Sequence, residues 1–586
     1  MKLRHLITTA DERTWSNDHP VLFLGEWCRL YNRKIAWEKL DAEVVPYHWD
    51  DRAKLYSDYQ YLQEFYEQLL RELMVQLNQI HGVGHSLRYW RILLGPWLGY
   101  FVQMLFDRWQ MIHESVKNFS ISSTSVLNIR EETVVPQNMT DFIRLFVADL
   151  WNHWIYKEII QRYTDIYCDN KRLNGEGARG KEGVAFSTSR FKTMIKDTLR
   201  GCSSLLAQRN KYFFVSSCLG RFQLQLECKL RQLPGLWCIP SLPEFPVDFE
   251  MRSNLHISCK ERNRFEKFVF SIIPKQIPTV YLEGYKTIAK KTETVPWPSR
   301  PKLIFTSNPD NLNEFVKVWA AQKIENGTKL VLGQHGGHYG AGKWSFLEEH
   351  EIAIADRYLS WGWRKDGFAK VKPLSAVKLL STSKIRSDVD GGLLLVMAEL
   401  PRYSYWMYSI PVASQLEQYF EEQFCFVDRL TPVAAKALVV RLFPYDYGWC
   451  QKLRWQDRLT NVRFDSMKRS MSESLQHSRL FVGTYNATTF LETFTANFPT
   501  IMYWNPKLWE LRPSAQPYYD KLRHVGILHD TPESAAAKVN EIFDAPLDWW
   551  NQSCIQDAKD EFCNEFAYIT DNYLKEWSTE LQSYIA

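Results

Sequence analysis

The stretch from 479 to 504, RLFVGTYNATTFLETFTANFPTIMYW, constrains the fold more than any other part of the chain. Its apolar start at 480–482 is typical of a buried strand. A turn of small and hydroxyl-bearing residues follows, and Thr489 and Glu492 have the spacing of a capping box at a helix start. Phe498-Pro499 ends that helix before a second apolar strand at 501–504. The pattern predicts a strand–turn–helix–strand unit, which is either an ordinary βαβ element or an anion-binding turn of an α/β fold.

Composition excludes several classes of protein. The 586 residues are 45% hydrophobic and 24% charged, which is typical of a globular chain with two or three domains. A net charge of +5 is too small to indicate nucleic-acid binding. The 11 cysteines form no C-x-x-C pair, the amino terminus does not resemble an export signal, and no run of 18 apolar residues exists. We therefore expect a cytoplasmic protein without a structural zinc site or a transmembrane helix.

Strand-like and helix-like segments alternate over much of the chain, which predicts an α/β fold. Strand patterns at 303–307 and 329–333 precede a polar linker at 370–390, and the alternation becomes regular after it. We expect two Rossmann-like domains that face a cleft, with helical insertions in the first. The predicted domains cover 1–375 and 388–545, and a helical tail follows at 546–586.

One helical segment has two interpretations. Residues 87–109 are strongly apolar, are interrupted by Gly95-Pro96 and are flanked by arginines. Such a helix can lie on a membrane surface with its Arg and Trp side chains at the headgroups. A buried, kinked helix is the interpretation that the pattern favours.

Candidate catalytic and cleft residues occur after predicted strands of the first domain. Glu26 follows a buried strand and Gly25, so it is either a general base or an ion-pair partner. His335 lies in a Gly-rich loop where backbone and imidazole can approach a ligand, and it is a second candidate base. A metal site at the two histidines of this loop would need a third ligand, so none is expected. The remaining cleft candidates are Asp11, Asp50, Gln334, Gly336, Gly337 and His338.

Candidate phosphate- and ribose-binding residues occur after predicted strands of the second domain. Arginine and hydroxyl groups at helix amino ends suit a phosphate, and a carboxylate one turn into the helix suits ribose hydroxyls. The absence of a P-loop, a G-x-G-x-x-G motif and a nucleophile elbow argues against ATPases, dehydrogenases and serine hydrolases. The nucleotide-binding candidates are Arg402, Ser404, Arg441, Tyr445, Thr484, Tyr485, Asn486, Thr488, Thr489 and Glu492.

Four motifs are spread over nearly the whole chain: Thr8-Thr9-Ala10-Asp11-Glu12, Leu24-Gly25-Glu26-Trp27-Cys28, Gln334-His335-Gly336-Gly337-His338-Tyr339-Gly340 and Thr484-Tyr485-Asn486-Ala487-Thr488-Thr489-Phe490-Leu491-Glu492. They resemble those of a bacterial family of O-antigen and surface-polysaccharide transferases. The second domain also resembles the nucleotide-binding half of GT-B glycosyltransferases, which implies a GT-B-like fold with an acceptor domain at 1–375 and a nucleotide-sugar domain at 388–545. Gly25-Glu26 resembles the catalytic Gly-Glu of Kdo transferases, and by that resemblance Glu26 would deprotonate the acceptor hydroxyl. The chain has Phe443-Pro444 where CMP-sugar enzymes have His-Pro.

The resemblance implies a glycosyltransferase that works without metal or cofactor. The donor would be a nucleotide-activated sugar, first of all a CMP-linked nonulosonic acid or Kdo. The acceptor would be a surface glycan such as O-antigen, lipopolysaccharide or capsule, free or lipid-linked, reached through peripheral association with the inner face of the cytoplasmic membrane. Two alternatives stay open: a nucleotide-sugar epimerase and a non-catalytic glycan-binding subunit.

Overall fold

Three parallel β-sheets form the framework of the protein. The computed structural model describes residues 2–16, 19–171, 209–235, 237, 239–256, 262–309, 313–381, 385–403 and 405–585. Within these ranges the structure has three five-stranded sheets, and every strand pairing is parallel. The predicted α/β class is therefore confirmed, with one sheet more than two Rossmann-like domains would supply.

The first sheet lies within the amino-terminal third of the chain. Its strand order is β3-β2-β1-β4-β5. The chain therefore begins with the central strand β1, adds β2 and β3 on one side of it, and then adds β4 and β5 on the opposite side. This order creates a topological switch point between β1 and β4, where α/β proteins form ligand crevices at the carboxyl ends of the strands. The strands are β1 (Arg4–Ile7), β2 (Val21–Phe23), β3 (Ala42–Val44), β4 (Ile121–Leu127) and β5 (Tyr167–Lys171).

The second and third sheets differ in topology. The order of the second is β10-β9-β8-β7-β6, without a switch point among the described strands, whereas the third has the order β12-β11-β13-β14-β15 and switches between β11 and β13. The second sheet comprises β6 (Tyr212–Phe214), β7 (Leu303–Thr306), β8 (Lys329–Gly333), β9 (Arg357–Ser360) and β10 (Val371–Pro373). The third comprises β11 (Gly392–Val396), β12 (Leu438–Arg441), β13 (Ser478–Gly483), β14 (Thr500–Tyr503) and β15 (Leu528–His529).

Helices cover the sheets and fill the space between them. The second and third helices, Arg52–His81 and Leu87–Asn118, are the longest of the described chain. The α-helices are Lys34–Trp37, Arg52–His81, Leu87–Asn118, Met139–Phe146, Asp149–Tyr163, Arg221–Lys229, Phe249–Ser253, Arg264–Gln276, Tyr285–Lys291, Glu314–Glu325, Phe346–Ile354, Gln415–Asp428, Pro432–Ala437, Gln451–Arg458, Met471–Leu475, Thr488–Thr495, Gln516–His524, Pro532–Ile542, Pro546–Trp550, Ser553–Phe566 and Tyr573–Ser583.

The apolar helix with two interpretations is a core helix. Leu87–Asn118 continues through Gly95-Pro96, and the side chains from Ile92 to Trp109 are buried. Trp97 stacks on Phe101, with ring centroids 5.0 Å apart. The buried-helix interpretation is confirmed, because this apolar surface already packs against protein. None of the helices in the described ranges combines the length and the hydropathy that a membrane crossing requires.

Two contacts from the carboxyl-terminal region reach the second sheet and the helix that follows β8. The last helix, Tyr573–Ser583, packs on the second sheet, where the Trp577 indole nitrogen donates to the carbonyl oxygen of Ser375 at 3.0 Å. Near the helix Gln516–His524, Arg512 forms two hydrogen bonds of 2.9 Å with the carboxylate of Glu348, which follows β8 in the chain. The Glu348 side chain is 2% exposed and that of Arg512 is 17% exposed, so this ion pair is largely removed from water.

Removal of the Arg512 guanidinium should destabilise the protein because it leaves the Glu348 carboxylate buried. Breaking a buried ion pair from one side costs about 3–5 kcal/mol. Lys365 lies 3.6 Å from Glu348 and offsets part of that cost. We therefore expect Arg512→Ala to lower the free energy of unfolding by about 3 kcal/mol, measured by denaturant unfolding.

The matched control is Arg458→Ala, because Arg458 and Asp428 form an ion pair with side chains that are 51% and 45% exposed. An exposed pair of this kind contributes about 1 kcal/mol or less. Equal losses of stability in the two variants would contradict the importance of the Arg512–Glu348 pair.

Candidate functional site

The third sheet has a rigidly built turn at its switch point. Thr484 follows β13, and its hydroxyl donates to the carbonyl oxygen of Val396 in β11 at 2.8 Å. The Tyr419 hydroxyl lies 2.5 Å from the Thr484 hydroxyl and accepts a hydrogen bond from the Ala398 amide at 2.8 Å. These bonds tie the ends of β11 and β13 together, so Thr484 is buried and shapes the turn. Asn486 is buried likewise and accepts a hydrogen bond of 2.8 Å from Tyr519.

The helix that follows the turn begins without a side-chain cap. Thr488–Thr495 has Ala487 at its N-cap position, with no side-chain hydrogen bond to the first turn. The predicted capping box of Thr489 and Glu492 is therefore wrong. The Thr489 hydroxyl instead lies 2.7 Å from the Tyr485 hydroxyl, which occupies it. The first backbone N–H groups of this helix thus remain available to an anion.

The Gly-rich loop after β8 meets the start of this helix. The Gly337 amide donates to the Thr488 hydroxyl at 3.0 Å. A Cβ atom at Gly337 would lie 2.6 Å from the carbonyl oxygen of Ala487, so only glycine permits this approach. The sequence predicted a close-approach loop here, and the structure shows that it approaches the third sheet.

Two cations and a carboxylate lie where the Gly-rich loop after β8 meets the start of Thr488–Thr495, which we call the loop–helix junction. Lys378 donates to the carbonyl oxygen of His335 at 2.8 Å. Burial raises the pKa of Glu492, while the positive charges of Lys378 and Arg441 act in the opposite direction. Arg441 is bound to Asp465, and its guanidinium also donates to the Ser474 hydroxyl at 2.8 Å. The junction therefore presents positive charge beside an uncapped helix start, an arrangement that can bind phosphate.

The first sheet reaches the third sheet at its own switch point. Arg402 follows β11 and is 6% exposed; it donates to the carbonyl oxygen of Trp27 and forms an ion pair of 3.1 Å with Asp149. The Ala10 amide, just after β1, donates to Asp149 at 3.1 Å. Burial alone would lower the pKa of Arg402, but the neighbouring Asp149 and Tyr403 side chains together raise it. Nη1 and Nη2 of Arg402 therefore donate within the contact between the first and third sheets.

The two candidate bases occupy different junctions. Glu26 starts the 3-10 helix Glu26–Cys28, and Arg29 binds its carboxylate, with a hydrogen bond of 2.8 Å from Nε. His335 lies between the second and third sheets, and its Nδ1 is 3.6 Å from the Glu351 carboxylate. The structure therefore gives Glu26 an ion-pair partner and gives His335 a buried carboxylate neighbour.

The other predicted cleft residues have structural partners. Gln334 accepts hydrogen bonds from the Trp361 amide at 2.9 Å and the Trp363 indole at 2.7 Å. The His338 ring stacks between Tyr339 and Tyr408, and burial lowers the pKa of this imidazole to about 3. His338 is therefore neutral near pH 7.

Three further predicted residues lie elsewhere, and one lies outside the described residues. Asp11 caps the 3-10 helix Glu12–Thr14 and binds Arg13, while Asp50 accepts a hydrogen bond of 3.2 Å from Gln415. Tyr445 lies near Phe443, with ring centroids 6.3 Å apart, on the loop after β12. Ser404 lies outside the described residues.

A carboxyl group that the sequence did not single out lies beside this region. Glu399 follows β11, is 1% exposed and accepts a hydrogen bond of 2.7 Å from the Tyr447 amide. Burial, and secondarily the nearby Asp446 carboxylate, raises the pKa of Glu399 to about 9. Its place directly after a central strand was the available signal, but burial and the Asp446 contact depend on the folded loop after β12.

No metal site stands out in this region. Across the ranges that the structure describes, no group of three or more His, Cys, Asp or Glu side chains is arranged to hold a metal ion. Several polar groups at the junctions, such as Glu26, Glu348 and Arg441, are paired with charged groups, hydroxyls or backbone amides. These residues are suited to bind an anion and to move a proton.

Comparison with known proteins gives a family and several distant folds. A family sequence model described as the LIC12162 family transferase matches residues 4–581. Among curated proteins, no sequence matches this chain.

Three solved structures are similar to parts of the chain. MurG of Acinetobacter baumannii is 10% identical, over 51% of this chain and 78% of that chain, with a TM-score of 0.28. The α,α-trehalose 6-phosphate synthase of Burkholderia multivorans is 12% identical, over 52% and 76% of the two chains, with a TM-score of 0.28. The N-terminal domain of Candida albicans trehalose-6-phosphate phosphatase is 10% identical, over 66% and 93%, with a TM-score of 0.32.

Replacement of Glu399 by glutamine should change how stability depends on pH. The folded protein keeps the Glu399 proton up to about pH 9, whereas the unfolded chain releases it near its ordinary pKa of 4.5. Stability therefore falls by about 1.4 kcal/mol per pH unit within this window, and by about 3 kcal/mol at pH 7. Glu399→Gln lacks this loss, so we expect it to be more stable than the natural protein at about pH 8 but not at about pH 5.

Melting temperatures at the two pH values measure this difference. The control is Glu421→Gln, because Glu421 is exposed on the helix Gln415–Asp428. The control should follow the natural protein at both pH values. A Glu399→Gln variant that also follows it at both would show that Glu399 is ionised in the folded protein.

Proposed function

Because the chain belongs to the LIC12162 family of transferases, we propose that it is a glycosyltransferase that uses a nucleotide-activated sugar. The observation that carries this proposal is the junction at the carboxyl end of the third sheet. There the uncapped start of Thr488–Thr495 meets Lys378 and the loop after β8. A helix start and a lysine together can bind the phosphate of the donor and stabilise it as a leaving group.

The donor would lie across the switch point between β11 and β13. Ligands of open α/β sheets bind in the crevice at such a point. Tyr485, Thr488 and Thr489 line this end of the sheet as half-buried side chains, and Glu492 is one turn further along the helix. We assign the phosphate to the helix start with Lys378, and the ribose hydroxyls to Glu492.

Arg402 and Arg441 take a supporting place in this proposal. Both were expected to bind phosphate, yet Arg402 is bound to Asp149 and Arg441 to Asp465. Their positive charges would attract the negatively charged donor from a distance, without a hydrogen bond to it. Lys378, which the sequence did not single out, takes the direct role.

The proposed donor is a CMP-linked nonulosonic acid or Kdo, in line with the motif resemblance. The proposed acceptor is a hydroxyl group of a surface glycan such as O-antigen or capsule, free or lipid-linked at the inner face of the cytoplasmic membrane. The acceptor hydroxyl would lose its proton to His335 or to Glu26. Glu26 lies at the first sheet and His335 lies between the second and third sheets. The choice of base therefore also decides which sheet the acceptor would lie against.

Nucleotide binding tests the donor site. We expect CMP to raise the melting temperature more than UDP or GDP, since a ligand at 100 times its dissociation constant adds about 2.7 kcal/mol to stability. Lys378→Met removes the cation and should weaken CMP binding about tenfold or more, which titration calorimetry measures. Lys507→Met, on an exposed residue after β14, is the matched control and should bind CMP normally.

Other outcomes redirect the proposal. A larger shift with UDP or GDP would keep the transferase and replace the donor. Absence of a shift with all three nucleotides, together with binding of glycan alone, would favour the non-catalytic glycan-binding subunit.

Turnover of the variants Glu26→Gln and His335→Asn separates the two candidate bases. Loss of a general base lowers kcat by about 10²–10⁴-fold. We expect this loss in His335→Asn and near-normal kcat in Glu26→Gln, because Arg29 already binds the Glu26 carboxylate. The assay measures CMP released from CMP-N-acetylneuraminate in the presence of cell-envelope glycan.

The reverse pattern would assign the base to Glu26 and the acceptor to the first sheet. Conversion of the donor without any acceptor would favour the nucleotide-sugar epimerase.

A further inference from the structure

The amino ends of three neighbouring strands bring lysines together at one edge of the second sheet. Lys211 precedes β6, Lys302 precedes β7 and Lys329 begins β8. Their backbones are directly connected, since the Lys302 amide donates to the Lys211 carbonyl oxygen at 2.7 Å and the Lys329 amide donates to the Lys302 carbonyl oxygen at 3.0 Å. Neighbouring strands lie about 4.8 Å apart, so the three lysines start from adjacent positions of this edge.

Two helices end beside the same edge and add further cations. Tyr285–Lys291 has Lys290 and Lys291 in its last turn. The hydroxyl of the next residue, Thr292, donates to the Gln322 side chain at 3.0 Å, which holds this helix end against the end of the neighbouring helix.

The neighbouring helix, Glu314–Glu325, carries Lys323 in its last turn. Lys323 donates to the carbonyl oxygen of Ser299 at 2.9 Å, and Arg300 follows Ser299 in the chain. Cations in the last turn of a helix compensate its dipole, which accounts for the lysines at the two helix ends. The dipole does not account for Arg300 or for the lysines at the strand starts. We call the following six cations the amino-edge patch: Lys211, Lys290, Lys291, Arg300, Lys302 and Lys323.

The carboxylates near the amino-edge patch leave most of its charge uncompensated. Glu293 is the single carboxylate of the segment 285–302, which contains five Lys or Arg residues. Asp356 is bound to Arg88 at 2.7 Å, and Glu325 is bound to His85 at 2.6 Å. The whole chain has a net charge of only +5, so this edge is much more basic than the average surface of the protein.

An exposed leucine lies beside these cations. Leu233 is 51% exposed, and its carbonyl oxygen accepts a hydrogen bond of 2.7 Å from the side chain of Asn210, the residue before Lys211. Cations around an exposed apolar side chain are typical of surfaces that lie on an anionic bilayer, where the cations meet the headgroups and the apolar group enters the acyl boundary. A soluble polyanion would use the cations alone.

We propose that the amino-edge patch binds the surface of an anionic membrane. This inference rests on the proposed function, because a lipid-linked acceptor would bring the enzyme to such a surface. The patch and the loop–helix junction lie at opposite ends of β8, a strand about 16 Å long. The patch can therefore rest on a bilayer while the junction stays accessible to donor and acceptor.

Vesicle sedimentation tests the patch without turnover. We expect the full chain to bind vesicles made of phosphatidylcholine and phosphatidylglycerol in equal parts but not vesicles of phosphatidylcholine alone. Binding should disappear at about 1 M salt, where the Debye length falls to about 3 Å. Each basic residue near an anionic surface contributes about fivefold to the binding constant. The triple variant Lys290→Gln, Arg300→Gln and Lys302→Gln should therefore bind about 100-fold more weakly.

The matched control removes the same charge elsewhere. Lys436→Gln, Lys468→Gln and Lys507→Gln change three exposed lysines around the third sheet. This variant has the same net charge as the patch variant and should bind anionic vesicles like the natural protein. Equal binding by the two triple variants would overturn the proposal.

The variant Leu233→Asn separates a membrane from a soluble polyanion. It should weaken binding to anionic vesicles about fivefold and leave binding to polyphosphate unchanged, because only a bilayer accepts the apolar side chain. If polyphosphate binds more tightly than vesicles and Leu233→Asn affects neither, the membrane is not the partner of the patch.

Transfer assays connect the patch with the proposed function. With an acceptor glycan anchored in anionic vesicles, the patch variant should show a KM raised about tenfold or more and a nearly unchanged kcat. With the same glycan free in solution, both constants should equal those of the natural protein. Vesicle binding as expected in a protein that binds no nucleotide would support the patch and contradict the transferase. Nucleotide binding and transfer without vesicle binding would overturn the patch alone.

Discussion

The buried guanidinium of Arg402 is the contact on which the relation between the first and third sheets depends. It leaves the third sheet directly after β11 and ends among acceptors of the first sheet, the Trp27 carbonyl oxygen and the Asp149 carboxylate. A guanidinium buried in this way is stable only when such acceptors are in place. The same carboxylate accepts the amide that follows β1. The two switch points are therefore held facing each other before any ligand arrives, which reduces the cost of ordering a site between them.

The third sheet meets the second sheet by a different means, a close backbone approach. Gly337 lies against Ala487 and Thr488 at a distance that admits no side chain. This approach brings the His335 loop and Lys378 to the uncapped start of Thr488–Thr495. In the proposed function, the phosphate-binding charge and a candidate base thus come from the region of the second sheet, whereas the helix start comes from the third. The proposed site therefore needs both sheets.

The sequence predicted the parts of this arrangement that local patterns encode. Buried apolar strands such as β8 and β13 were predicted with nearly the observed bounds, since a strand buried on both faces is a continuous apolar run. The polar strand β5 has no such pattern and is a strand only through its pairing with β4. Residues 352–354 look like a strand but end the helix that carries Glu351, because tertiary contacts outweigh the local apolar run. Local patterns also could not predict the partners of Arg402 or the burial of Glu399, because both depend on residues that are distant in the sequence.

Three buried glutamates differ in the groups that surround them, and the difference distinguishes a stabilising role from a functional one. Glu348 forms an ion pair with the Arg512 guanidinium, which compensates its buried charge and joins two sheets. Glu399 is kept uncharged by burial beside Asp446, at a cost in stability that a glutamine would avoid. Glu351 faces an imidazole and a phenol, groups that can exchange protons. Selection for stability alone would not explain the buried carboxyl groups of Glu399 and Glu351. Both lie at carboxyl-end junctions of the sheets, so the cost is concentrated where the ligand and the proton transfer are proposed.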